Sequence, residues 1–140
     1  MSLLLMSCKL FKSNQNSVYE ILNNIEIKKV TIKSFQFAAD GKVLLEMNSP
    51  NEIANFKSWF KPSKNSVVDS VGIKIFQPNG VIIVSAATNK DLEIYFQLFN
   101  CYRLNYLSKL IYEKFSYQMG QTLLELIEEE ARLAGKKFQQ

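Results

Sequence analysis

The period of apolar and polar positions changes several times along this chain, and each change predicts an element. Leu3–Phe11 is an apolar opening stretch that fits an edge or central strand. Ser13-Asn14-Gln15-Asn16-Ser17 then offers several N-cap side chains. Val18, Ile21, Leu22 and Ile25 follow at helical spacing and predict a short amphipathic helix. Residues 28–37 alternate, with Val30 and Ile32 pointing one way and Lys29, Thr31, Lys33, Phe35 and Phe37 the other. Ala38-Ala39-Asp40-Gly41 predicts a hairpin turn, because Asp-Gly readily supplies positive φ, and Lys42–Asn48 returns as the second strand. Ser49-Pro50-Asn51-Glu52 then opens a helix, with a cap, a proline at the first helical position and a capping-box acid. Its apolar face is Ile53, Phe56, Trp59 and Phe60, and Pro62 ends it.

The pattern then runs again. Val71–Gln77 matches Val30–Gln36 at five of seven positions, including the polar identities Lys33/Lys74 and Gln36/Gln77. Residues 61–70 are the most loop-like stretch and link the two copies. Asn79-Gly80 predicts a second hairpin turn, and Val81–Ala87 its return strand. A helix capped by Thr88 or Asn89 follows from Lys90, apolar nearly all round and without a breaker until Gly120. Gln121–Lys137 makes a last amphipathic helix, with Leu124, Ile127, Ala131 and Ala134 on one stripe.

The expected fold is therefore α+β. An antiparallel sheet of four to five strands is built from two ββα repeats (28–61 and 70–100), with a long apolar helix and a C-terminal amphipathic helix. Residues 1–117 are expected to form a single domain and 118–140 a helical extension. In outline this layout resembles the profilin-like domains of the roadblock class and one lobe of the TATA-box-binding fold. The likeness is one of layout, and no residue signature carries a function with it.

Composition narrows the chemistry. At 47% hydrophobic and 21% charged the chain is ordinary globular material. The net charge is +4; residues 1–115 carry a balance of +5, and thirteen of their fourteen basic residues are Lys, with Arg103 the exception. Scarce Arg weighs against bidentate base reading. The absence of His removes the commonest general base and metal ligand, and Cys8 and Cys101 form no CxxC pair, so neither catalysis, a metal nor a cofactor is expected. Unpaired cysteines suit a cytoplasmic setting. Leu5-Met6-Ser7-Cys8 is only a faint lipoprotein-like site, without a preceding basic residue or a long apolar run, and no membrane association is expected.

Two binding surfaces compete. A long apolar helix needs a cover, and tyrosine is enriched at interfaces. Tyr102, Tyr106, Leu110 and Tyr112, with the stripe Leu124, Ile127 and Ala131, are therefore the expected surface of a non-enzymatic protein-binding or adaptor domain that self-associates as a homodimer. The alternative is a nucleic-acid platform in which Lys33, Phe35, Phe37, Lys74 and Phe76 alternate cation and ring on one sheet face. Lys57, Lys61 and Lys64 read as a solvated face.

Overall fold

The computed structural model describes residues 17–62, 66–88 and 90–138. The strand expected at Leu3–Phe11, Cys8, Lys64 and the Asn89 cap lie outside the described residues.

The protein is α+β, and the described residues form one six-stranded antiparallel sheet and four helices. In chain order these are α1 (Val18–Asn23), β1 (Ile27–Ser34), β2 (Lys42–Met47), α2 (Pro50–Ser58), α3 (Ser70–Lys74), β3 (Gly80–Ala86), β4 (Leu92–Gln97), β5 (Cys101–Tyr106), β6 (Lys109–Lys114) and α4 (Tyr117–Phe138). The strand order is β2-β1-β3-β4-β5-β6.

The first half forms as its pattern predicts. Ser17 caps α1 by accepting from the Glu20 N–H. Gly41 takes φ 98° in the β1–β2 connection, a left-handed backbone that glycine adopts without a Cβ clash. At α2 the Ser49 hydroxyl accepts from Glu52 N while the Glu52 carboxylate accepts from Ser49 N, closing the capping box.

Two expectations from the second half are corrected. Val71–Gln77 is not a strand. Asp69 accepts from Gly72 N at 2.8 Å and starts the short helix α3 instead. The heptapeptide match is therefore one of sequence alone: the first copy is β1, while the second begins as a helix whose Val71, Ile73 and Ile75 remain exposed.

The long apolar helix expected from Lys90 is three strands, which raises the count from four or five to six. Its turns carry no glycine. Phe99 takes φ 64° between β4 and β5, and Leu107 and Ser108 take 49° and 64° between β5 and β6. Tyr106 pairs with Lys109, so the latter is a two-residue hairpin with both central residues left-handed. Read as strands the run alternates: Ile94, Phe96, Tyr102 and Leu104 are buried on the core face, while Glu93 and Asn105 are exposed and Tyr95 and Arg103 half-buried on the other. Its Ile, Tyr and Phe residues favour strands.

Helices α1, α2 and α4 cover one sheet face. Val18 and Leu22 (α1), Phe56 (α2), Trp59 and Phe60 just after it, and Met119, Leu123 and Ile127 (α4) share one core with Val30, Ile32, Ile82, Val84, Ile94, Phe96 and Leu104. The C-terminal helix thus lies back on the sheet; it begins before Gly120, which sits inside it. Edges are blunted in ways that discourage strand addition. A register shift opposite Ile32/Lys33 kinks β2, and Lys42 pairs with Glu130 of α4 at 2.8 Å. At β6, Val67 bridges to Glu113 and Lys114 N–H donates to the Ser66 carbonyl. No described helix is long and apolar enough to cross a membrane.

Candidate functional site

The face turned away from the three covering helices carries the chemistry. Strand register aligns one side chain per strand across it: Val43 (β2), Lys33 (β1), Val81 (β3), Tyr95 (β4), Arg103 (β5) and Tyr112 (β6). A period of two places these opposite the core-facing Ile32, Ile82, Ile94 and Leu104. Beside them a second line runs Glu46, Thr31, Ile83, Glu93, and Asn105 pairs with Leu110 at its far end.

The connection from α2 to β3 passes the β6 edge and crosses one end of this face. There the Phe76 ring stands edge-on to Tyr112, with centroids 5.7 Å apart. The Arg103 guanidinium lies 5.0 Å from the Phe76 centroid and 5.3 Å from that of Tyr95, and Phe35 lies 6.4 Å from Tyr95 on the other side. Cation–π contacts therefore hold Arg103 in place. Among the described residues no hydrogen-bond acceptor or carboxylate is bonded to its guanidinium. Asn100 fastens the crossing segment, donating to the Gly72 carbonyl at 3.0 Å and to Gln97 Oε1 at 2.8 Å.

The uncovered part of the face is an open cleft of about 370 Å³ lined by Asp91, Glu93, Tyr95, Arg103, Asn105 and Leu110. The Tyr95 hydroxyl donates to Glu93 Oε2 at 2.8 Å. That bond, then burial and the carboxylate charge, raise the Tyr95 phenol above its ordinary range, while Arg103 pulls it the other way. The phenol remains an oriented donor, and Glu93 Oε1 keeps its acceptor capacity.

On the core side, Glu113 of β6 is partly buried and accepts the Tyr102 hydroxyl at 2.8 Å and the Val18 N–H at 3.3 Å. Burial raises its carboxyl above the usual range. The two hydrogen bonds oppose that shift, and the charge of Glu20 adds to it. Burial also pushes the Tyr102 phenol far upward, with Glu113 contributing. Cys101 is buried and its thiol is raised by burial, the opposite of an activated cysteine. Among the described residues no three Cys, Asp or Glu side chains cluster as metal ligands.

The residues expected to form a docking surface are divided by the sheet. Tyr102 and Ile127 are in the core, Tyr106 packs against it, and Leu124 is half-buried. Ala131 is exposed on α4, while Leu110, 56% exposed, and Tyr112 belong to the open face. Of the platform residues, Lys33, Phe35 and Phe76 lie on the open face, Phe35 against Tyr95 and Phe76 over Arg103, whereas Lys74 is exposed on α3 and Phe37 packs against the core. Glu93, Tyr95 and Arg103 were missed as a group. Read as a helix, residues 92–114 do not bring them together; strand alternation about the turn at Leu98–Asn100 sets Tyr95 opposite Arg103. The signal was Arg103 itself, the lone arginine of residues 1–115, lying within an aromatic run.

Comparison with protein families, with curated proteins and with solved structures finds no match to this chain.

Proposed function

We propose that this chain is a non-enzymatic, cytoplasmic protein-binding domain that docks its partner on the open face of the sheet. The observation that carries the reading is Arg103, half-buried against the rings of Phe76 and Tyr95 while no acceptor among the described residues takes its donors. Arginine and tyrosine anchors supply most of the energy at protein interfaces. A guanidinium already held against rings loses less freedom when it binds than a mobile one. In this reading docking moves here from the C-terminal helix, because α4 turns Met119, Leu123 and Ile127 into the chain's own core and leaves only Leu124, half-buried, and Ala131 of the expected docking stripe outside it.

The nucleic-acid reading is weaker on this face. Arg103 already occupies the Phe76 ring, and Glu46, Asp91 and Glu93 place carboxylates beside Lys33 and Arg103. Selection of a displayed random-peptide library on the full chain tests the proposal. Enriched peptides are expected to lose about tenfold or more in affinity on Arg103→Ala and to be indifferent to Lys57→Ala. Enrichment of no sequence, or only of sequences indifferent to Arg103, overturns it. Salt-sensitive retention of single-stranded oligonucleotides on a filter, lost on Arg103→Ala, moves the reading to nucleic acid.

A further inference from the structure

The cleft is self-complementary in charge. Tyr95 stands directly opposite Arg103, and Glu93 is two residues along β4 on the same face, so the carboxylate and the guanidinium line one cleft on adjacent strands. No ion pair joins them within the chain. Glu93 takes the Tyr95 hydroxyl on Oε2, and Oε1 stays available to a donor from outside. Leu110, more than half exposed, borders the same cleft.

In a two-fold contact the same patch meets itself, so a residue pair is used twice with the roles exchanged. A two-fold axis through the cleft brings each Arg103 to the partner's Glu93, satisfying both donor and acceptor. The net charge of +4 opposes the approach of two copies. That repulsion is screened over roughly 8–10 Å at physiological salt, so the local pairs decide the outcome. We infer that the occupant of the open face is a second copy of this chain, joined by two reciprocal Arg103–Glu93 pairs with Leu110 and Tyr95 packing near the axis. The inference rests on the docking reading above and names the partner. Part of the face lies under the α3 segment, so the contact is small and its dissociation constant is expected in the micromolar range.

Sedimentation equilibrium of the full chain from about 5 to about 500 µM is the test. The mass is expected to double across this range, with the midpoint moving to higher concentration as salt is raised. Glu93→Arg, at an exposed position, is expected to weaken the dimer about tenfold or more, as is Arg103→Glu. The double exchange E93R/R103E is expected to recover most of the loss, which a purely structural effect of either change does not produce. Thermal unfolding of Glu93→Arg alone checks that its fold is intact, so the result does not depend on whether Arg103→Glu folds. A wild type that stays monomeric throughout, or a dimer indifferent to Glu93→Arg, overturns the inference. In either case Arg103-dependent peptide selection leaves the docking reading standing, and that reading falls only if the selection fails as well.

Discussion

At the residue scale, Glu113 shows how the sheet sets ionisation. It is an acid held among apolar neighbours, and burial outweighs the Tyr102 and Val18 hydrogen bonds that favour its anion. A carboxyl raised in the folded state binds its proton more tightly there than in the unfolded chain. Its contribution to stability is therefore full below the ordinary glutamate value of 4.5 and is lost as pH rises through the higher folded value. The expected outcome is that wild type gains stability over Glu113→Gln as pH falls from about 8 to about 5, read from urea unfolding at each pH. A flat difference across that window removes burial as the dominant influence on Glu113. Gly80 marks the opposite extreme of constraint: a Cβ there would stand 2.2 Å from the Lys33 carbonyl oxygen, so β1 and the Phe96 ring leave room for glycine alone.

At the element scale, local chemistry decided some segments and context decided others. The capping box of α2 is complete in four consecutive residues, and the helix forms where they place it. Ser49→Ala is expected to cost about 1 kcal/mol of stability in chemical denaturation, because the Glu52 N–H loses the hydroxyl that accepts it. Glu52, held below its usual range first by the Ser49 hydrogen bond, loses that influence in the same variant. Val71–Gln77 shows the reverse. Its alternation matches that of β1, yet Asp69 caps a helix there and the segment crosses the sheet instead of joining it. Strands β4, β5 and β6 were hidden for a related reason. Phe99, Leu107 and Ser108 adopt left-handed backbone without the glycine or Asn-Gly signal that marks such turns, and tertiary pairing holds them there.

At the scale of the whole molecule, α4 is part of the body. Met119, Leu123 and Ile127 are buried in the common core, and Glu130 reaches back to Lys42 on the β2 edge. Burial of three such side chains is worth roughly 1.5–3 kcal/mol each, comparable in sum with the total stability of a small domain. A chain ending at Ser116 is therefore expected to lose cooperative thermal unfolding and its dispersed amide NMR spectrum. Retention of both would make residues 117–140 an appendage.

The sequence by itself determined the α+β class, the β1–β2 hairpin, the capped helices α1 and α2, and the amphipathic C-terminal helix. In each, the cap, the turn glycine and the apolar period all lie within a few residues of one another. The tertiary structure alone decided the number of strands, the fate of the repeat and the make-up of the open face. The row from Lys33 through Tyr95 and Arg103 to Tyr112 is assembled by register between strands. Phe76 reaches Arg103 only because the connection from α2 crosses the sheet. Register depends on which partner covers each face, and that is a property of the packed whole rather than of any local window.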